Sequence, residues 1–122
     1  MTIVRYIVRD VSEAVAFYTQ HLGFTPKQQF GPNMAIAERG DLTLWLAGPG
    51  ASASRPMPDG RKPMPGGWNR FVLVVEDLEA LVDKLRVQGV SFRKEIVTGP
   101  GGRQILCEDP SGNVVELFQP AG

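Results

Sequence analysis

The sequence predicts an α+β fold built from two tandem βαβββ modules. Strand-like and helix-like segments follow the same order twice along the chain. Each helix-like segment begins after a capping Asp and ends at a Gly. A segment at residues 48–67, half of it Gly and Pro, separates the two copies and cannot form a helix or a central strand. We therefore predict one domain over residues 1–122, with modules 1–47 and 68–122 and a connector 48–67.

The first module begins with a strand-like run at residues 2–9. Asp10 is placed to cap a helix, with Glu13 at the capping-box position, and Gly23 ends the helical pattern. The apolar residues at helical spacing are Val11, Ala14, Val15, Tyr18 and Leu22. Three further strands are predicted at residues 24–30, 33–38 and 42–46.

The second module repeats this order after the connector, starting with a strand at residues 69–75. Asp77 is the predicted helix cap, and Gly89 is the predicted helix end. The apolar residues of this helix are Leu78, Leu81, Val82 and Leu85. Further strands are predicted at residues 90–97, 103–107 and 114–118, with a hairpin turn at 110–112.

Each module offers a sheet with a helix on one face, so the other face needs a cover. Pairing two such sheets would form a cup-shaped mixed sheet, which is a natural ligand site.

Composition and charge restrict the function. The 122 residues contain 13 basic and 13 acidic side chains, so we expect no nucleic-acid or membrane partner. One Cys and one His exclude an internal disulfide, a multi-Cys zinc site and any site needing two His ligands from one chain. We find no transmembrane run or signal-peptide pattern, and we expect a cytoplasmic location.

Two segments carry a resemblance to a known family: RDVSEAVAFYTQHLGF, from Arg9 to Phe24, and EDPSGNVVELF, from Glu108 to Phe118. With them, the chain resembles the vicinal oxygen chelate superfamily of glyoxalases, bleomycin resistance proteins and extradiol dioxygenases. The resemblance implies the cup-shaped fold. It says little about the reaction, because the family includes several chemistries and simple binding.

The resemblance also implies where a divalent metal would bind, at first-strand and last-strand positions of each module. The ligand position on the first strand lies seven residues before the capping Asp, and the ligand position on the last strand lies four residues after the hairpin Gly. These rules give Ile3 and Leu44 in the first module, and Arg70 and Glu116 in the second. Only Glu116 matches the family pattern, because Ile and Leu have no ligand atom and Arg is a fixed cation. We therefore expect no metal cofactor.

Arg70 and Glu116 stand at the two implied positions of the second module, so their side chains should face each other in the cup. A carboxylate buried without a cation would take up a proton, and Arg70 could neutralise it in the metal's place through a bidentate bond. Two interpretations stay open. The pair is either an ion pair filling a vestigial site or a polar group that orients a ligand.

Strand alternation predicts the other residues of the cup wall. Ile3, Arg5 and Ile7 share one face, Leu42, Leu44 and Leu46 share another, and Trp45 turns toward the helix. The predicted ligand-binding residues are Arg70, Glu116, Arg5, Gln104, Arg103, Trp68 and Asn69. This composition suits a small, partly apolar ligand with an acidic or carbonyl group.

Three functions follow, and we rank them in order. The first is a metal-free small-molecule binder resembling the bleomycin resistance type, working as a homodimer. The alternative is a divalent-metal-dependent lyase, isomerase or dioxygenase in which Glu116 ligates the metal with displaced ligands such as Glu38, Glu95 or Glu108. The third is a metal-free enzyme with Glu116 as general base, ranked last because Arg70 would stabilise the charged form.

Two other features have two interpretations each. The connector carries Arg55, Arg61 and Lys62 against one acidic residue, Asp59, so it is either a solvated loop or a lid over an anionic ligand. Cys107 lies on a predicted strand and is either a small buried hydrophobe or a thiol nucleophile, with no neighbouring His to support the second role.

Overall fold

The computed structural model describes all residues from 1 to 122, and it confirms the α+β fold with two mixed sheets and two helices. The chain forms two compact units, Met1–Gly66 (unit 1) and Gly67–Gly122 (unit 2). Neither helix has the length and the apolar character needed to cross a membrane.

Unit 1 contains four strands, one helix and a short 3-10 turn at Ser52–Ser54 in the connector. The helix and strands are β1 (Thr2–Ile7), α1 (Val11–His21), β2 (Thr25–Phe30), β3 (Met34–Arg39) and β4 (Leu42–Ala47). The sheet order is β1-β4-β3-β2, in which β1 runs parallel to β4 and the other pairs are antiparallel. The predicted boundaries agree with these elements to within a few residues.

Unit 2 repeats this topology with one additional strand. Its elements are β5 (Phe71–Val74), α2 (Leu78–Val87), β6 (Ser91–Phe92), β7 (Val97–Gly99), β8 (Gly102–Glu108) and β9 (Val114–Pro120). The order is β5-β9-β8-β6, and β7 also pairs with β8. The single strand predicted at residues 90–97 is wrong, because residues 93–96 leave the sheet between β6 and β7. Exposed Glu95 in this segment pairs instead with Arg86 of α2, at 2.8 Å.

The two helices begin as predicted. The Asp10 side chain accepts a hydrogen bond from the Glu13 backbone N–H at 2.9 Å, and Asp77 accepts one from the Ala80 N–H at 3.1 Å. These bonds satisfy backbone donors that have no partner inside the helix. The Glu13 carboxylate pairs with Arg9 at 3.3 Å.

Each helix covers one face of its own sheet. Helix α1 packs on β3 and β4, where Tyr18 and Leu44 are fully buried. Helix α2 packs on β9, where Leu78 and Leu117 are fully buried. We call the opposite sheet surface the open face of each unit. In each unit, one face of the sheet is therefore buried against the helix, and the open face is not.

The structure corrects the predicted face of β4. Arg5 lies opposite Trp45, and Ile3 lies opposite Thr43, so these residues share the open face. Leu44 and Leu46 lie opposite two buried alanines of β3, on the helix face. The predictions that the leucines of β4 line the cup and that Trp45 faces the helix are both wrong.

A difference in turn length explains this error. The β3–β4 turn closes on the pair Arg39 and Leu42, whereas the β8–β9 loop spans residues 109–113 between Glu108 and Val114. Turn length decides which face the next strand presents first. A count from the turn glycine therefore reaches the open face in β9 but the helix face in β4.

Candidate functional site

The open face of unit 2 combines an apolar floor with a group of charged side chains. Val72 lies opposite Glu116 and Val74 lies opposite Phe118, which places these four side chains on one surface. Strand β8 adds Gln104, opposite Phe118. Val72 is 47% exposed and Val74 is 62% exposed, so the floor is accessible to a ligand.

Arg70 and Glu116 form an ion pair at the centre of this surface. The Arg70 Nε and Nη2 atoms donate to Glu116 Oε1 at 3.1 and 2.9 Å. The predicted contact between the two side chains is present, and both guanidinium nitrogens donate to the same carboxylate oxygen. Glu116 Oε2 receives neither bond. The Glu116 side chain is buried, and the Arg70 guanidinium places a positive charge directly beside its carboxylate.

The position of Arg70 is fixed by a third bond. Its Nη1 atom donates to the backbone carbonyl of Trp68 at 3.1 Å, just before β5 begins. A guanidinium has five N–H donors, and three serve these bonds. The pair therefore offers a ligand spare cationic donors beside a free carboxylate oxygen.

A second arginine, Arg93, organises the edge of the same surface and was not predicted. It donates to Glu108 Oε2 at 2.6 Å, to the Gly67 carbonyl at 2.7 Å and to the Gly112 carbonyl at 3.0 Å. Its guanidinium also lies 4.5 Å from the centre of the Trp68 ring. Arg93 thus ties the start of unit 2 to the β8–β9 loop and supports Trp68, which is 66% exposed.

The β8–β9 loop, which leads into the strand that carries Glu116, is held in place by one buried carboxylate, that of Asp109. Asp109 Oδ1 accepts from the backbone N–H groups of Ser111 and Asn113, at 2.8 and 2.9 Å. The Asn113 side chain donates to Asp109 Oδ2 at 3.0 Å. These bonds fix the start of β9 and so the placement of Glu116 on the open face.

The structure separates the remaining predicted residues. Gln104 shares the open face of unit 2 with Glu116, and Asn69 is an exposed neighbour of Arg70. Arg5 lies in unit 1, 4.8 Å above the Trp45 ring. Arg103 does not share the open face as predicted. Its Nη1 atom donates to Glu79 of α2 at 2.7 Å, so Arg103 lies on the helix face.

The residues at the positions where the resemblance implies metal ligands do not fit a divalent ion. Ile3 has no ligand atom, Leu44 has none and lies on the helix face, and Arg70 brings a positive charge to Glu116. No three His, Cys, Asp or Glu side chains of the chain are grouped as a metal site requires. The other carboxylates considered as displaced ligands are also paired: Glu38 with Lys27, Glu95 with Arg86 and Glu108 with Arg93.

Cys107 is the buried hydrophobe that one interpretation predicted. It lies on β8 opposite Val115, on the helix face, and is fully buried. Burial raises the pKa of the Cys107 thiol to about 12. The reactive thiolate is therefore disfavoured at neutral pH, which argues against a nucleophilic role for this thiol.

Known proteins share both the sequence pattern and the fold. CFP32 of Mycobacterium tuberculosis (strain CDC 1551 / Oshkosh), which is named as a candidate glyoxylase, is 32% identical over 113 residues. That alignment covers 90% of this chain but 41% of CFP32, so the chain spans less than half of that relative.

Solved structures extend the comparison. A superfamily member from Sphaerobacter thermophilus DSM 20745 is 28% identical, with a TM-score of 0.77 over 98% of this chain and 95% of that one. TnmS3, an antibiotic binding protein from Streptomyces sp. CB03234, is 27% identical, with a TM-score of 0.75 over 99% and 95% of the two chains.

The family profile described as "Glyoxalase/Bleomycin resistance protein/Dioxygenase superfamily" matches residues 2–117, which is nearly the whole chain. The match includes the first segment that carried the resemblance and all but the last residue of the second, and it agrees with the repeated topology of the two units. The chain belongs to the Glyoxalase/Bleomycin resistance protein/Dioxygenase superfamily.

Proposed function

We propose that this protein binds a small, partly apolar molecule on the open face of unit 2, without metal catalysis. The observation that carries the proposal is the Arg70–Glu116 ion pair, at the two positions of the second module where the resemblance to the family implies metal ligands. An ion pair with spare donors and a free acceptor, surrounded by exposed apolar side chains, is suited to orient a ligand.

The chemistry of the surface defines the ligand class. Val72, Val74 and Phe118 can cover an apolar body, and burying it supplies most of the binding free energy. An acidic or carbonyl group of the ligand can accept from the spare N–H groups of Arg70. A hydroxyl or N–H group of the ligand can donate to Glu116 Oε2.

The likeness to TnmS3 supports binding as the function. TnmS3 is an antibiotic binding protein, and it shares 27% identity with this chain over almost its whole length. Sequestration of a molecule needs no general base, nucleophile or metal. The open face of unit 2 supplies recognition groups, whereas its carboxylates Glu108 and Glu116 are both held by arginines.

A thermal-shift screen of small apolar acids, carbonyl compounds and antibiotics tests this proposal. A ligand that binds the folded state raises the melting temperature in a concentration-dependent way. We expect the shift to survive a chelator and to be lost in Arg70→Met. The matched control is Arg86→Met, which removes another arginine–glutamate pair of unit 2. A shift that persists in Arg70→Met, or that a chelator abolishes, would contradict the proposal.

The alternative function is a metal-dependent lyase, isomerase or dioxygenase in which Glu116 is one ligand. The name of CFP32 favours it, since that relative is a candidate glyoxylase. It requires Arg70 to release Glu116 and further ligands to come from paired carboxylates such as Glu108. Turnover that depends on an added divalent ion and disappears in Glu116→Gln would favour this alternative.

We also propose that the protein works as a homodimer. The open face of unit 1 carries exposed large apolar side chains, Ile3 and Phe30, outside the ligand surface proposed in unit 2. Exposed large apolar side chains on one sheet face are typical of association sites. Sedimentation velocity should give a species of twice the chain mass, and a monomer at all concentrations would contradict this part of the proposal.

A further inference from the structure

We propose that unit 1 carries a separate binding pocket for a small apolar anion, between the end of β1 and the connector. The pocket has a volume of about 420 Å³, which is within the range of small-molecule sites. Its lining residues all lie in unit 1: Ile7, Val8, Arg9, Pro49, Ser54, Pro56, Lys62, Pro63, Met64 and Pro65. The function proposed above rests on unit 2, so this pocket is an additional site.

The pocket wall is apolar and poor in hydrogen-bond donors. Four of its residues are prolines, which have no backbone N–H to offer a ligand. The Ser54 hydroxyl already donates to the Gly48 carbonyl at 2.7 Å. Met64 is 77% exposed at the pocket and is a flexible side chain that adapts to different shapes. The wall therefore favours a ligand with an apolar body.

The charge of the lining specifies an anion. Arg9 and Lys62 are its two ionisable residues, and both are cationic. Arg9 is partly neutralised by Glu13, at 3.3 Å, whereas Lys62 forms no ion pair within the chain. An apolar wall beside an unpaired ammonium attracts a carboxylate or sulfonate more strongly than the same charges do in open water.

The connector is folded, so the pocket exists before a ligand arrives. The Met57 N–H donates to the Arg61 carbonyl at 2.7 Å, and the Gly60 N–H donates to the Met57 carbonyl at 2.9 Å. The Arg61 Nε atom also donates to Asp59 at 2.8 Å. A preformed wall lowers the ordering cost of binding. This geometry supports the interpretation of the connector as a ligand-covering segment.

The test uses two probes of similar shape, 1-naphthoate and its neutral counterpart 1-naphthamide. The ¹⁵N-labelled full chain is titrated with each, and amide shifts are followed by NMR. We expect naphthoate to bind more tightly, with the largest shifts at residues 7–9 and 54–65. Lys62→Gln should weaken naphthoate binding about fivefold and leave naphthamide binding unchanged, because it removes a single exposed charge.

Arg55→Gln is the matched control, since Arg55 is an exposed cation of the same connector outside the pocket lining. It should leave both affinities unchanged. The proposal is overturned if naphthoate does not bind, if naphthamide binds equally well, or if the shifts centre on unit 2. Equal weakening by Lys62→Gln and Arg55→Gln would also overturn it, because that result would show general charge attraction only.

Discussion

The two units share a topology but differ in the chemistry of their open faces. In each, a capped helix covers one side of a sheet whose first and last strands run parallel. On the open face of unit 1, Arg5 lies on the Trp45 ring, and Glu38 pairs with Lys27. In unit 2, Arg70 and Arg93 pair with Glu116 and Glu108. The shared scaffold therefore fixes where the open-face side chains stand, and the chemistry of a few of them decides which unit carries the polar site.

The largest expected effect tests which face of β4 is buried. Leu44→Glu should destabilise the protein by more than about 4 kcal/mol, because it places an unpaired charge in the helix-facing core. Chemical denaturation measures the change. Ile3→Glu is the matched control, since Ile3 is 42% exposed on the open face, and it should cost less than about 1 kcal/mol. Similar losses of stability in both variants would indicate that Leu44 lies on the open face.

A smaller effect tests the Arg70–Glu116 pair. Arg70→Met should cost about 2 kcal/mol of unfolding free energy, because the buried Glu116 carboxylate loses its cation. The double variant Arg70→Met, Glu116→Leu should recover more than half of that loss, since no charge remains unpaired. Additive losses in the double variant would show that the two side chains do not interact.

The pH dependence of the unfolding free energy tests the burial of Cys107, a thiol in the core of unit 2 that has no counterpart in unit 1. Burial raises the pKa of the Cys107 thiol from 9.0 to about 12, so the unfolded thiol loses its proton first as the pH rises. Between these values the folded state holds more protons, and its stability must fall with pH. The contribution is fully present below pH 9 and should shrink by about 1 kcal/mol at pH 10.

Cys107→Ala provides the comparison for this effect, because other groups also titrate at alkaline pH. The difference in unfolding free energy between the two proteins, measured under reducing conditions, should narrow as the pH rises from 9 to 10. A constant difference over this range would mean that the thiol ionises equally in both states.

The smallest expected effect concerns Arg103. Arg103→Gln removes an exposed pair with Glu79 on the helix face of unit 2, which should cost about 0.5 kcal/mol or less. Ligand-induced thermal shifts should stay unchanged, because Arg103 does not share the open face with Glu116. A loss of ligand binding in this variant would indicate that Arg103 takes part in the ligand site.

Features with local causes could be predicted from the sequence. Asp10 and Asp77 cap helices through bonds to residues three positions away, so their role follows from spacing alone. Glu116 was placed correctly because β9 presents it to the open face. Leu44 was misplaced because the shorter β3–β4 turn changes the face, and no local signal reveals that change.

Arg93 and Arg103 depend on contacts between distant parts of unit 2. Arg93 reaches Glu108 and Gly67 because β6 pairs with β8 in a particular register. Arg103 faces Glu79 because of its place in the β8–β9 register, opposite Gln119. Strand alternation allows both faces until that register is known, so sequence reasoning missed the first residue and misassigned the second.

We propose that the Arg70–Glu116 pair takes the place that a bound metal would have in a metal-dependent member of the family. Elemental analysis of untagged protein, purified without a chelator, tests it most directly. We predict far less than one divalent ion per chain, with the protein folded and able to bind its ligand. About one ion per chain, lost in Glu116→Gln, would contradict the claim and favour the metal-dependent enzyme.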